Sequence, residues 1–468
     1  MLLLRTLALA GAAGALLLAG CNDKIRPPEE GTAPRGTTGA GATPAATSSR
    51  ATAPTRGTPG SVSSGAAASR LQPGDRGVQV GLRLLRGQVS VADAVAGWTA
   101  EGLTPQEAKE VLARLPLTSA PGAGRHQATV VDAWQRQTDI TVVVPASAPP
   151  AAGYPVIVFL HGLGGNSGHV AGTAAHFPEA IAVAPTAQQP PAGVTFEDDA
   201  PIPLQSSFPH WWVYRDGGFA TRALDWVRER YPVDSDRIFL VGASMGGFGT
   251  WNVGLRLHDR FAGLILAAAG ISRKEFGTGR DPLTRALLQN AAMVPAWFAH
   301  GDQDQVIPVQ FSRMCDQDLT SLSIPHVYRE VAGAGHDNDA FAGNQPLMDQ
   351  LKSWARARRR DPAPATVKHR AIAGDHPGAY WVELVGPGSD AAVQASVSGT
   401  TVTVTTSGAQ GVRVYLDPRL IDPTASLTVR LNGSVLFQGV PQASLEAVAR
   451  SFARTRDPAL TYCWSVGQ

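Results

Sequence analysis

The chain has 468 residues, 44% of them hydrophobic and 17% charged, enough for two or three ordinary domains with real cores. Forty basic against 38 acidic side chains leave a net charge of +2, which argues against the basic face of a nucleic-acid binder. The 50 glycines and 35 prolines follow no period, so a collagen-like fibre is excluded, and three cysteines cannot form a disulfide framework.

Residues 1–21 read MLLLRTLALAGAAGALLLAGC. Arg5 precedes an uncharged run over 7–20, too short to cross a hydrocarbon core of ~30 Å as a helix but suited to the apolar part of a signal peptide. The run closes on Leu18-Ala19-Gly20-Cys21, which resembles the lipobox of bacterial lipoproteins. That resemblance implies export and lipidation at Cys21, tethering the chain to the outer membrane or the outer face of the cytoplasmic membrane. Residues 22–75 contain no aromatic side chain, and 39 of the 54 are Gly, Ala, Pro, Ser or Thr. A tract with so little to bury is expected to be a disordered spacer, spanning roughly 40 Å as a flexible coil.

A short helical segment is expected over 76–125, as a helical pair beginning near Ser90. Its second helix starts at Thr104-Pro105-Gln106-Glu107, with Thr as N-cap, Pro in the first turn and Glu at the third position. Residues 126–360 then alternate apolar strands with helices. A hairpin is expected over 127–146, with strands at 155–162, 181–185, 237–244, 263–270, 294–301 and 326–333, and helices over 218–230, 309–322 and 345–358. Near-continuous apolar strands separated by helices predict one α/β domain, a mostly parallel eight-stranded sheet with helices on both faces. From 366 to 468 the period changes to two, Asn432-Gly433 signals a hairpin, and a small antiparallel β domain with a terminal helix near 442–454 is expected. The arginines of 356–360 read as a solvated helix end favoured by the helix dipole.

One G-x-S-x-G occurs, Gly242-Ala243-Ser244-Met245-Gly246. It follows the strand RIFLV and opens a helix, the strand–turn–helix setting in which a serine is presented at the top of a sheet. The turn is tight, so glycines leave room around the serine, and the helix N-terminus adds positive potential where an oxyanion would form. Serine needs a base oriented by an acid. His336, between Gly335 and Asp337 after a strand, is the base preferred over His300. Asp304 is the acid preferred over Asp302, both lying after the strand that ends at His300.

The order Ser244, Asp304, His336 together with this elbow resembles the α/β-hydrolase fold. More narrowly, LHGLGGN (160–166), YPVDSDRIFLVGASMGGFGTW (231–251), AHGDQDQVIP (299–308) and GAGHD (333–337) resemble bacterial phospholipase/carboxylesterase, polyhydroxybutyrate-depolymerase-like and feruloyl-esterase-like proteins. The resemblance implies a serine ester hydrolase that works through an acyl-enzyme, needs no cofactor and acts on a small-molecule or polymer ester. It also implies that the backbone N–H groups of Leu163 and Met245 form the oxyanion hole. No Lys-Ser/Thr follows the glycines of 162–165, so a nucleotide-binding P-loop is excluded.

Residues 188–216 form a long Pro-rich connection whose Trp211 and Trp212 are candidate substrate-binding residues at a pocket rim. No His/Asp/Glu cluster has the spacing of a metal site, no protein partner is indicated, and Cys315 and Cys463 read equally as a bridge or as two buried thiols. Two other activities share this pattern. One is a peptidase of the prolyl-oligopeptidase type, although only about 125 residues precede the sheet. The other is a catalytically silent hydrolase fold gripping glycan or envelope polymer through aromatics such as Tyr380 and Trp381.

Overall fold

The computed structural model describes residues 75–114, 120–132, 134–188, 211, 218–272, 275, 282–337, 341–372 and 376–467. The chain divides into two units, Met1–Ser69 and Arg70–Gln468, and the described residues belong to the second. The segment ending at Cys21, the 22–74 tract and Trp212 lie outside the described residues.

The central sheet has eight strands, β1 (Gly124–Val131), β2 (Gln137–Val144), β3 (Tyr154–Leu160), β4 (Ile181–Pro185), β5 (Val233–Ala243), β6 (Gly263–Ala267), β7 (Ala296–Gly301) and β8 (His326–Val331). They lie side by side in the order β1-β2-β4-β3-β5-β6-β7-β8. Only β2 runs against the rest, pairing antiparallel with both β1 and β4. β3, β4 and β7 are apolar along nearly their whole length because both faces of the sheet are covered. On one face Val156, Val158, Leu240, Leu264 and Phe298 pack with Ala223, Leu224 and Val227, whereas Ile157, Phe239, Ile265 and Trp297 face Leu347, Met348 and Leu351 on the other. The alternation within each strand sorts these residues between two cores.

The second sheet has seven strands, β9 (Thr366–Ile372), β10 (Gly378–Ala379), β11 (Val382–Ser398), β12 (Thr401–Leu416), β13 (Leu427–Leu431), β14 (Ser434–Gly439) and β15 (Trp464–Gly467), of which β11 and β12 are the longest. It is not wholly antiparallel. β12 pairs in parallel with β13, while β13 turns back antiparallel into β14. The hairpin turn carries positive φ at Asn432 (49°) and Gly433 (86°), as a type I′ turn requires. Tyr380 and Trp381 are 2% and 1% exposed and belong to this domain's core, which removes them as an aromatic grip on a polymer.

Among the described residues three helices precede the sheet, α1 (Val78–Leu85), α2 (Val91–Ala100) and α3 (Pro105–Ala113), where the sequence pattern announced two. Both α2 and α3 start with capping boxes, Ser90–Asp93 and Thr104–Glu107. Their apolar faces meet the last helix of the chain (Leu445–Thr455). Val78, Leu82, Leu85, Trp98 and Leu112 form one buried cluster with Val448, Ala449, Phe452 and Cys463. The terminal helix therefore closes a helical bundle with the N-terminal segment instead of serving only the β domain that precedes it.

The arginines of 356–360 are a solvated helix end only in part. Arg356 and Arg359 are exposed, Arg359 pairing with Asp234 (2.8 Å), but Arg360 is buried, bonded to Asp236 (2.9 Å) and Asp457 (2.8 Å). Asp457 also receives Arg228 at 3.0 Å, so one carboxylate ties the sheet domain to the C-terminal segment. Burial by itself would raise the Asp457 pKa, but Arg360 and Arg228 hold it below the ordinary carboxylate value. Removing either partner would strand a buried charge, which typically costs 3–5 kcal/mol.

Cys315 and Cys463 are both free and buried, Cys315 in the sheet core and Cys463 in the helical cluster. Burial pushes the Cys315 thiol up to about 12, so it is an inert apolar side chain. Among the described residues no helix is long and apolar enough to cross a membrane.

Candidate active site

Ser244 sits between β5 and the helix Met245–Arg256, with φ 55° and ψ −124°, a conformation non-glycine residues rarely adopt. The glycines around it make the turn feasible. A Cβ at Gly246 would lie 1.9 Å from the Leu160 carbonyl oxygen, and one at Gly242 would lie 2.2 Å from the Gly246 oxygen. These are backbone contacts with no room to yield. The strained turn is held because the Ser244 N–H donates to the Ala267 carbonyl (2.9 Å) and its own carbonyl receives Gly247 and Phe248.

The structure brings three of the expected residues together. His336 Nε2 lies 3.0 Å from Ser244 Oγ, and His336 Nδ1 lies 2.6 Å from Asp304 Oδ2. The Asp304 side chain is fully buried and that of His336 is 21% exposed, so the imidazole is open to a substrate while its acid is not. Asp304 Oδ1 accepts the N–H groups of Val306 and Ile307, each at 2.8 Å. Burial alone would raise the Asp304 pKa, but bonds from His300, His336 and Ile307 hold the carboxyl well below its usual range. It is therefore ionised and acceptor-only.

Asp302, the acid passed over, has a different place. Its Oδ1 receives the Gly333 N–H at 2.7 Å, pinning the loop that carries His336. Asp302 N–H to Val331 O and Gln303 N–H to Ala334 O zip the same two loops together. Gly333 needs its φ of 73°, and a Cβ on Gly301 would meet the Ala334 oxygen at 2.3 Å. The glycines Gly301 and Gly333 thus serve a tight docking of the His336 loop against the Asp304 loop.

The segment after β3 runs beside the nucleophile, a Cβ at Gly162 lying 3.6 Å from that of Ser244. Met245 is the first residue of its helix, so its N–H has no acceptor within the helix. The Leu163 N–H meets no backbone acceptor among the described residues, and its side chain is 53% exposed. What fixes this loop is His161, which the sequence pattern had not singled out. Its Nδ1–H donates to Gly162 O (2.7 Å), and its Nε2 accepts the Ala187 N–H (3.0 Å). Burial lowers the His161 pKa, favouring the neutral ring that both bonds require.

Trp211 lies elsewhere than at an open rim. It is 4% exposed, donates its indole N–H to His161 O (2.8 Å) and packs edge-on against the His161 ring at 4.9 Å. A Cβ on Gly249 would strike the Trp211 Cβ at 2.3 Å, so the indole is wedged between the elbow helix and the loop of Leu163. Its place in the fold is to support that loop. Among the described residues no group of three or more His, Cys, Asp or Glu is arranged to hold a metal ion.

Residues 132–308 match the family model described as "Putative esterase". No curated protein sequence matches the chain. Solved structures similar to it include a thermostable esterase (20% identity, TM-score 0.39), aligned over 50% of this chain and 63% of that one. A ferulic acid esterase aligns over 50% and 98% of the two chains (20% identity, TM-score 0.37). An S-formylglutathione hydrolase from Staphylococcus aureus aligns over 51% and 99% (16% identity, TM-score 0.35). Sheet order and serine elbow together make this domain an α/β-hydrolase, and its residues 132–308 are similar to the esterase family.

Proposed function

We propose that this esterase-type α/β-hydrolase is a serine carboxylic ester hydrolase acting through an acyl-enzyme. The observation that carries the reading is the unbroken line from Asp304 through His336 to a serine held in a strained elbow. Ser244 Oγ attacks the ester carbonyl while His336 Nε2 takes its proton. Asp304 accepts the Nδ1–H, which fixes the tautomer with Nε2 free and stabilises the imidazolium that forms. The oxyanion is received by the N–H groups of Leu163 and Met245, and each such donor is typically worth ~2.7–4 kcal/mol in the transition state. His336 then protonates the leaving alcohol. Water enters, gives its proton to the same nitrogen, and releases the acid and Ser244.

The substrate is an ester of a small molecule or a polymer outside the cell, reached by a body tethered through lipid at Cys21. The lipobox resemblance and the 22–75 composition support that placement. The test is a p-nitrophenyl ester series from acetyl to decanoyl on residues 72–468, with Ser244→Ala alongside. Turnover that disappears in the variant supports the reading, and the chain-length preference separates small-acyl from lipid or polyester substrates. A folded wild type that cleaves no member of the series would contradict it.

A further inference from the structure

Asp304 serves two histidines. Its Oδ2, 2.6 Å from His336 Nδ1, also lies 3.2 Å from His300 Nε2. His300 is fully buried at the end of β7 and takes no direct part in the mechanism above. Its hydrogen-bond partners fix where its protons are. Nε2 lies 2.8 Å from the Ile307 carbonyl as well as beside the carboxylate, and both are acceptors, so Nε2 carries hydrogen. Nδ1 lies 2.7 Å from Ser312 Oγ, which in turn lies 2.8 Å from the Ala269 carbonyl. Ser312 has one hydrogen, and the carbonyl can only accept, so that hydrogen goes to Ala269. The bond between Ser312 and Nδ1 then needs a second hydrogen on the imidazole.

We infer that His300 is a positioning residue, a buried imidazolium that holds Asp304 by the same oxygen that His336 uses and shares its negative charge. The inference rests on the serine-hydrolase reading for its catalytic consequence but not for the charge state itself. Glu330, the register partner of His300 on β8, is taken up by Arg313 (2.8 Å) and Tyr328 (2.9 Å), and Asp302, two residues further along the chain, holds Gly333. Asp304 is therefore the carboxylate left to balance the His300 charge. A second cation on that carboxylate weakens its hold on the His336 proton. It also prevents Asp304 from turning away when the His336 bond loosens during turnover.

The test uses the full chain with ¹⁵N-labelled histidine, His300→Gln assigning the ring signal by its loss. At pH 8 both His300 nitrogens should show one-bond coupling to hydrogen; a bare ring nitrogen would overturn the proposal, whatever esters the protein cleaves. The second arm is the pH profile of kcat/KM on p-nitrophenyl acetate. Glutamine can keep an N–H on Asp304 but brings no charge, so His300→Gln should keep kcat within about tenfold while moving the acid limb up by about one pH unit. His300→Leu, which loses the bond too, should lose about 100-fold in kcat. An unmoved acid limb in a folded His300→Gln variant would show a merely structural histidine and sink the proposal. If wild type cleaves no ester, the functional reading fails, while the NMR arm still decides the charge of His300.

Discussion

Replacing Asp304 by Asn alters one atom and reverses a hydrogen-bond pattern. The carboxylate accepts from Val306 and Ile307 through Oδ1 and from His336 and His300 through Oδ2. In the amide, the oxygen is retained by the two backbone N–H groups, which can only donate, whereas His336 can change tautomer and the His300 Nε2–H still has the Ile307 carbonyl. The NH₂ then faces His336 Nδ1, 2.6 Å away in the parent, where only an acceptor nitrogen is tolerated. His336 is thereby driven to the other tautomer, with hydrogen on Nε2, and it can no longer take the proton of Ser244. Loss of the correct tautomer is typically worth ~10⁴ in kcat, or about 5.5 kcal/mol at 1.36 kcal/mol per decade. The assay is kcat on p-nitrophenyl acetate at pH 7.5, with circular dichroism and a melting curve to show that the variant is folded. A folded Asp304→Asn enzyme retaining more than a tenth of wild-type kcat would refute the reasoning.

The oxyanion assignment makes a paired prediction: Leu163→Ala keeps kcat within a few-fold because only the backbone is used, whereas a variant without that N–H, Leu163→Pro, loses ~10²–10³. A large loss in folded Leu163→Ala, measured by the same kinetics, would count against it. Ending the chain after residue 441 should unfold the N-terminal helices, because Val448, Ala449 and Phe452 complete their core; hydrogen exchange over 78–113 would report it, and unchanged protection would contradict the bundle. Acid should destabilise the junction of the sheet and β domains. His258 and His369, bonded to each other at 3.0 Å, are pushed down to about 3 and about 4 by burial, and His376 is pushed well below its ordinary value. Unfolded, these rings take protons near pH 6.5, so their contribution is intact above that pH and is lost as pH falls toward the folded values. At pH 5 this is about 2 kcal/mol per histidine, offset in part by Asp225, whose pKa burial raises. Urea midpoints at pH 7 and pH 5, for wild type and His369→Gln, would test it; equal midpoint shifts in the two proteins would be the wrong result.

The α/β domain was legible because its signals are local. Apolar runs such as PVIVFL and RIFLV fix strands, and a glycine pair around Ser244 fixes the elbow without knowledge of distant residues. Choosing Asp304 over Asp302 rested on spacing from the strand end, and the structure sets Asp304 against His336 and Asp302 against the loop backbone. What escaped was whatever depends on long-range partners. Helix α1 was missed because VQVGLRLL has only eight residues and an internal glycine, although Val78, Leu82 and Leu85 follow a helical period. Arg360 looked like one more surface arginine until Asp457, nearly a hundred positions later, came to meet it. Trp211 resembled a pocket aromatic because sequence shows neither the His161 carbonyl that its N–H reaches nor the elbow helix it wedges against. His161 and His300 gave the same kind of signal, a histidine at a strand end, and only geometry separates the loop anchor from the partner of Asp304.

The central claim is that Ser244 is the nucleophile, and covalent trapping tests it most directly. The protein is treated with a fluorophosphonate, digested and mapped by mass spectrometry, beside Ser244→Ala. The account predicts one adduct per chain, on the peptide containing Ser244, with ester hydrolysis lost in step with labelling and no adduct in the variant. An adduct on another residue, or full hydrolysis by a protein labelled at Ser244, would contradict it.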